Sequence, residues 1–477
     1  MTKPILLLLS GPKGDPRSIG RGIVISTAAP TASRSKPRLV VRCFCPLPRV
    51  SGVLSGGIVM SKLLRLLAAV AAVCILTVST LAQTQPNKAA SYKEKVLHAF
   101  TGKSDGWQPG SLLRDAKGNL YGTTTFGGNM SGECGSGYIQ NGCGVVFELN
   151  AEAKFSVLHT FDFSEGANPI VSVQDANGDL YGTTTRGGNS ACQHGGCGVI
   201  FKLTPAGDFT LLYRFTGGSD GASPNSLIRD AKGNFYGTTN GGYTNYGEVF
   251  ELTSSGKLEV LYSFSGSNDG GGPNGVIRDS KGNLYGTTPE GGLYEYGTVF
   301  KVDPAGKETV LYSFDGQSDG DFPLSALVID KAGNLYGTAS LGGYEKGNCD
   351  LVGSPVGCGT VFKIDTAGAF SVIFKFDSAD GNFPGPLIKD AHGNIYGTTG
   401  FGGNGCTRRG CGVLYKLNAA GKESVLYNFT GKSDGGRPEA ILEDSKGNLY
   451  GTAISGGDLS CPREHGTGCG VIFELTP

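Results

Sequence analysis

The chain has 477 residues, with 41 Lys and Arg balanced by 41 Asp and Glu, 39% hydrophobic residues and 80 glycines. A formal net charge of zero, with no Lys/Arg run in the repeated part, argues against the basic footprint that a nucleic-acid binder needs. Periodic apolar residues argue against disorder, and glycine spread among short β-type runs points to many strands joined by tight turns.

Residues 1–59 carry Pro, Arg and Gly without periodicity and none of the repeat that follows. They are expected to be an unstructured upstream over-extension of the reading frame, with Met60 as the initiator. Residues 60–82 have the order of a Sec signal peptide. Lys62 and Arg65 form the basic start, 66–78 the apolar run, and Thr80-Leu81-Ala82 the cleavage site. The apolar run is short for a membrane span of about 20 residues. The expected mature chain is secreted, periplasmic or on the cell surface, with no membrane span, and residues 83–94 form a linker.

From residue 95 to 477 one pattern returns. Gly118-Asn119-Leu120-Tyr121-Gly122-Thr123-Thr124 has six further copies, centred on Tyr181, Tyr236, Tyr285, Tyr336, Tyr396 and Tyr450. A spacing of about 50–60 residues marks a propeller, solenoid or array. Each unit holds four β-type runs. A short apolar run ends in Asp115 or its equivalent and is apolar on both faces, as a strand buried on both sides should be. The Leu-Tyr-Gly-Thr-Thr run follows a hairpin turn with Gly free to take φ > 0. The third run, such as Gly144-Val-Val-Phe-Glu-Leu149, alternates apolar with charged residues. The fourth resembles Phe155-Ser-Val-Leu-His-Thr-Phe161.

Four antiparallel strands repeated seven times predict an all-β, seven-bladed β-propeller. The array opens on a fourth-type strand (95–100) and closes on a third-type strand (470–475). The two are expected to pair, closing the ring and removing its open edges. An open β-solenoid is the alternative, and it gives no reason for that offset.

These units are similar to the bacterial GloVer tandem repeat of exported, choice-of-anchor proteins. The resemblance covers about residues 95–477. It implies an exported repeat protein and brings no catalytic residues with it. Such proteins carry differing carboxy-terminal anchors; here the sequence runs only to Pro477, and no sorting tail is expected.

Ten cysteines fall in five local pairs, Cys134/Cys143, Cys192/Cys197, Cys349/Cys358, Cys406/Cys411 and Cys461/Cys469. Each pair lies between the second and third strands of its unit. Units three and four lack the pair, have a shorter connection there, and carry Tyr246 and Tyr296 in place of the second Cys. Presence with long loops and absence with short ones predicts disulfide staples in an oxidising compartment.

In a four-stranded antiparallel blade the stapled loops and the fourth-to-first connections emerge on one face. Those connections hold Asp105, Asp220, Asp269, Asp319, Asp380 and Asp434, each followed by Gly, with Glu165-Gly166 in unit two and Trp107 in unit one. Asp105, Trp107, Asp220, Asp269, Asp319, Asp380 and Asp434 are the candidate ligand-binding residues of this loop-rich face. The rival reading of the acidic ring is turn chemistry. One carboxylate per blade is few for Ca²⁺, which takes about six to eight oxygens. No cofactor is expected, and Ca²⁺ stands as the one candidate. Trp107 could stack on a sugar or pack between blades.

No nucleophile motif, metalloprotease helix or phosphate loop is present. His98 and His159 occupy outer-strand packing positions, and His392 sits in a turn. Arg408, Arg409, Arg463, Glu464 and His465 are the non-repeated loop residues from which a site could be assembled. The expected function is a monomeric exported scaffold or binding module for a glycan or protein. The alternative is an extracellular propeller enzyme, a lyase or hydrolase acting on polysaccharide or peptide.

Overall fold

The computed structural model describes residues 92–477, apart from 137–138, 190–191, 193–194, 242–245, 344–348, 350–356, 407–408 and 462–467. The expected over-extension, the signal peptide and most of the linker lie outside the described residues.

Seven four-stranded antiparallel sheets follow one another, each pairing its strands in chain order. Blade one comprises Trp107–Arg114, Leu120–Phe126, Val145–Leu149 and Phe155–Thr160. Blades two to six occupy residues 167–214, 228–263, 276–313, 328–375 and 382–428. Blade seven takes Gly436–Glu443, Leu449–Ser455 and Val471–Thr476 from the chain's end and Lys93–Ala99 from its beginning. Lys93 lies opposite Thr476 and Ala99 opposite Val471. The expected closure is therefore present, with the amino-terminal strand starting two residues before 95.

The first strands of neighbouring blades lie against one another, whereas the fourth strands are partly exposed. The first strand is thus innermost and the fourth outermost. Each letter of the Leu-Tyr-Gly-Thr-Thr motif has a packing reason. The glycine makes room for an aromatic ring on the third strand. A Cβ at Gly286 would lie 2.6 Å from the Phe300 ring, and one at Gly182 2.8 Å from that of Phe201. Both rings are fully buried.

The first threonine ties each blade to the next. Thr183 donates to the Asn225 carbonyl (2.9 Å), Thr287 to that of Ser325 (3.1 Å) and Thr452 to that of Gly110 (2.8 Å), each in or just before the innermost strand of the next blade. In blade one Thr123 instead bonds Ser111 Oγ, which accepts the Val171 amide of blade two. Each buried bond contributes about 1 kcal/mol and, more to the point, fixes the rotation of one blade against its neighbour.

Candidate functional site

Backbone hydrogen bonds sort the connections into two faces. On one face, Asn119 Oδ1 accepts the Ala151 amide and Asn234 Oδ1 that of Ser254, joining first-to-second turns to third-to-fourth turns. On the other, the second-to-third loop reaches the fourth-to-first connection of the same blade. Gly188 N donates to the Phe163 carbonyl (2.7 Å), Gly292 N to that of Ser267 (2.8 Å) and Gly457 N to that of Lys432 (2.7 Å). This is the loop-rich face.

The six candidate aspartates stand one per blade junction and do not converge. Their carboxylates are engaged in their own loops. Asp220 accepts Thr216 N (2.9 Å), Thr216 Oγ1 (2.5 Å) and Tyr213 OH (3.0 Å). Asp269 does the same with Ser265 and Tyr262, and Asp434 with Thr430 and Tyr427. Asp105 accepts the Thr101 amide and hydroxyl. Burial pushes the Asp105 carboxyl up, but bonds from His98 and Thr101 outweigh it and hold the group below its usual range. Asp319 accepts Tyr312 OH and Asp315 N; burial and the neighbouring Asp315 carboxyl push it up to about 6. Asp380 accepts Asp377 N and is raised by burial to about 6.

The glycine after each acid is equally structural. Gly106 has φ +85° and Gly270 φ +98°, and a Cβ on either would overlap Thr124 or Thr288 of the second strand. Trp107 is buried, stacks on Phe126 at 4.7 Å, and packs with Cys461, Cys469 and Ile472 of blade seven.

Three residues past each acid the backbone enters the left-handed region again, now mostly without glycine. Gln108, Asn168, Ser223, Phe322, Phe383 and Arg437 have φ between +54° and +63°, and Gly272 has φ +67°. Each amide donates to a carbonyl of the preceding blade, as Gln108 to Cys469 (3.1 Å), Ser223 to Cys197 (2.9 Å) and Arg437 to Cys411 (2.7 Å). Such strain costs of order 1–3 kcal/mol per residue and persists only where surroundings hold it. A proline follows each one and seats on a glycine of the preceding blade; a Cβ at Gly198 would lie 2.6 Å from Pro224 Cδ. These residues lie in or just before the innermost strands, one at each blade junction, and some reach back onto the preceding blade: Asn168 donates to the Thr125 carbonyl and Arg437 lies over the Phe401 ring. They are amide, hydroxyl, aromatic and guanidinium groups. Glu439, an exposed carboxylate, lies two residues past Arg437; desolvation raises its carboxyl above the usual range, opposed by the Arg437 charge. Sequence reasoning missed this ring. Its signal was present as the second of two variable residues between an invariant Gly and an invariant Pro.

The five expected staples are formed, Cys134–Cys143, Cys192–Cys197, Cys349–Cys358, Cys406–Cys411 and Cys461–Cys469, with Cα–Cα separations of 5.1–5.9 Å. They fit an oxidising, extracellular environment. In one respect they go beyond the expected role of loop staples. Cys143 and Cys358 are buried in the packing between blades and so cannot meet a ligand. Each also holds the strained residue of the next blade through its carbonyl. Cys143 O accepts the Asn168 amide (3.0 Å), and Cys358 O accepts that of Phe383 (3.1 Å). The second cysteine of a pair therefore anchors a blade junction as well as its own loop.

In blades two and six the sulfurs cover a left-handed glycine: a Cβ on Gly217 would lie 2.7 Å from Cys197 Sγ, and one on Gly431 2.5 Å from Cys411 Sγ. In blades three and four Tyr246 and Tyr296 cover the equivalent Gly266 and Gly316. The rings stay wet. Tyr246 is 51% exposed, Tyr294 51%, Tyr296 42% and Leu293 65%. Tyr246 and the 291–296 loop meet through residues 271–272: Gly272 N donates to Tyr246 O and Gly271 N to Glu290 O. An exposed apolar patch of this kind marks an interaction site more often than a single exposed side chain does.

Two histidines support the loop acids from the outer strands: His98 Nε2 lies 3.5 Å from Asp105 and His159 Nε2 3.0 Å from Glu165. His98 stacks on Phe155 at 3.8 Å and His159 on Phe209 at 5.0 Å, both on outer strands. Among the described residues no group of three or more His, Cys, Asp or Glu could hold a metal ion, and no helix is long and apolar enough to cross a membrane. Arg408, Arg463, Glu464 and His465 lie outside the described residues.

Among solved structures, a catalytically inactive variant of virginiamycin B lyase from Staphylococcus aureus, with quinupristin, superposes with a TM-score of 0.53 at 14% identity, over 81% of this chain and 99% of that one. A Xanthomonas campestris gluconolactonase gives a TM-score of 0.37 at 14% identity, over 65% and 84%. A Niastella koreensis GH74 enzyme gives 0.45 at 14% identity, over 76% and 53%. At such identity the lyase shares the fold and nothing finer. No curated protein matches in sequence. The Gloeobacter/Verrucomicrobia repeat matches residues 128–349 and 350–477, and the chain belongs to that family.

Proposed function

We propose that the protein is an exported binding module that grips an extracellular ligand, a glycan or a protein, with its loop-rich face. The observation that carries this reading is the patch of Tyr246, Leu293, Tyr294 and Tyr296, bared where two blades lack staples. Tyrosine offers a flat ring for stacking together with a hydroxyl for hydrogen bonding, which suits a sugar ring best. Asp105, Trp107, Asp220, Asp269, Asp319, Asp380 and Asp434 serve this site by holding the connections in place. Ca²⁺ would then leave affinity unchanged. The module acts as a monomer after translation from Met60 and removal of the 60–82 signal peptide.

The test is a glycan and peptide binding screen with residues 83–477, with and without Ca²⁺. A Tyr246→Ala/Tyr294→Ala/Tyr296→Ala variant should lose at least about tenfold in affinity, since stacking contributes about 1 kcal/mol or more per ring. Undiminished binding by that variant would sink the proposal.

One observation favours a second reading, a lyase or hydrolase. Glu439, an exposed carboxylate near Arg437 with its carboxyl raised, would be the general acid or base. Turnover of a polysaccharide or peptide that vanishes in Glu439→Gln while binding survives would establish it.

A further inference from the structure

On the turn face, blades four and five are separated by a groove of about 600 Å³, within the range of ligand pockets. Its origin lies in one position. The residue just before the hairpin Asp is long in the other blades: Arg114, Gln174, Arg229, Arg278, Lys389 and Glu443. The four cations among them reach back over the motif tyrosine of the preceding blade. Arg114 lies 5.3 Å from the Tyr450 ring and 3.9 Å from Asp444; Arg229 lies 5.3 Å from the Tyr181 ring and 3.8 Å from Asp175. Arg278 lies 5.2 Å from the Tyr236 ring, and Lys389 4.7 Å from that of Tyr336. The fold thus repeats a small receptor for a cation, made of a tyrosine face and a hairpin aspartate.

In blade five that position is Ile329, which carries no charge and is too short to cross the junction. Tyr285 and Asp279 of blade four form the same receptor, and both line the groove with Ile329 beside them. Tyr285 OH donates to Asp279 Oδ2 (3.1 Å), which sets the two groups in the arrangement seen at the filled junctions. Among the described residues no cation lies over the Tyr285 ring, and Asp279 has no ion pair.

The geometry points to this groove as a docking site for an arginine side chain presented by a partner polypeptide. The guanidinium takes the place that Arg114 and Arg229 hold at their own junctions, flat on the tyrosine and within reach of the aspartate. The occupant is thus defined by the molecule's own filled copies. Arg278, Lys281, Lys301 and Lys331 also line the groove and oppose a further cation, set against Asp279, Asp330 and Asp365; Lys301 makes no ion pair among the described residues. It weakens the site and sets the sign of one test.

The probe is N-acetyl-arginine amide titrated into residues 83–477, followed by NMR of the tyrosine rings, with the neutral citrulline analogue as control. A single side chain should bind with a Kd on the order of 1 mM, and citrulline at least about tenfold more weakly. Ile329→Arg fills the receptor from within, as other blades do, and should abolish binding without lowering the melting temperature. Lys301→Gln should tighten binding a few-fold. Equal binding of citrulline, unaltered binding by Ile329→Arg, or weaker binding by Lys301→Gln would each overturn the assignment.

Discussion

Blades two and six close their loop-face connections with a disulfide; blades three and four close theirs with a tyrosine. Both devices cover the same left-handed glycine, Gly217 and Gly431 in one case, Gly266 and Gly316 in the other. A cross-link is usually credited with restricting the unfolded chain. Here it also fills volume, because a ring of carbon replaces it without changing the backbone beneath. The price of the replacement is exposure, and that exposure creates the apolar patch.

The largest expected effect comes from the covered glycine itself. Gly217→Ala should destabilise by about 2–4 kcal/mol, from a left-handed alanine and a Cβ driven into a fixed sulfur. Gly266→Ala should cost about 1–2 kcal/mol, because a half-exposed ring can swing aside. Equal losses in urea denaturation would mean that the two covers are equally rigid.

Next comes removal of the covers. Cys192→Ala/Cys197→Ala should cost about 2–3 kcal/mol, and Tyr246→Ala about 1 kcal/mol from lost apolar contact. If calorimetry gives the same loss for both, the disulfide acts in this fold through packing alone.

The smallest effect is a pH dependence that ignores the staples. Glu94, Glu308 and Glu423 occupy equivalent outer-strand positions in blades seven, four and six, and each has a buried oxygen without a hydrogen-bond partner. Burial raises each carboxyl from its usual 4.5 to about 7, reinforced by Asp434, Asp269 and Asp380 respectively. A raised acid holds its proton more tightly when folded. Its stabilisation is full below about 4.5 and is lost as the pH rises through about 7. Each group is half exposed, so screening leaves under about 1 kcal/mol apiece. The melting temperature should fall between pH 5 and 8, and Glu308→Gln should flatten the fall in one unstapled blade as much as Glu423→Gln does in a stapled one.

Much of this was legible in the residues. The sevenfold Leu-Tyr-Gly-Thr-Thr repeat and the offset of its terminal strands define the closed propeller. Substitution of Tyr246 and Tyr296 for a cysteine exposed the shared role of the two covers. The pairing of Cys143 with Cys134 and of Cys358 with Cys349 was legible from loop length, whereas the carbonyl bonds of Cys143 and Cys358 to the next blade were not, since backbone groups leave no mark on residue type. The aspartates were legible as positions but not as bonded groups, because their partners, Thr216 and Tyr213 for Asp220, depend on how the loop folds back. The ring of left-handed residues from Gln108 to Arg437 was hidden because strain is written in dihedral angles. The turn-face groove was hidden for another reason. It exists through what Ile329 lacks, and a shorter side chain in one copy reads as ordinary variation until its neighbours are seen reaching across.

Thr476 bonds back to Lys93, 383 residues earlier. So wide a loop makes ring closure entropically slow, and it can be completed only when the final strand is available. A chain threaded outward from its amino terminus would have to keep residues 93–99 unpaired until then. Proteases would therefore act chiefly on that waiting strand, and a tether linking the two ends should speed maturation without altering any blade.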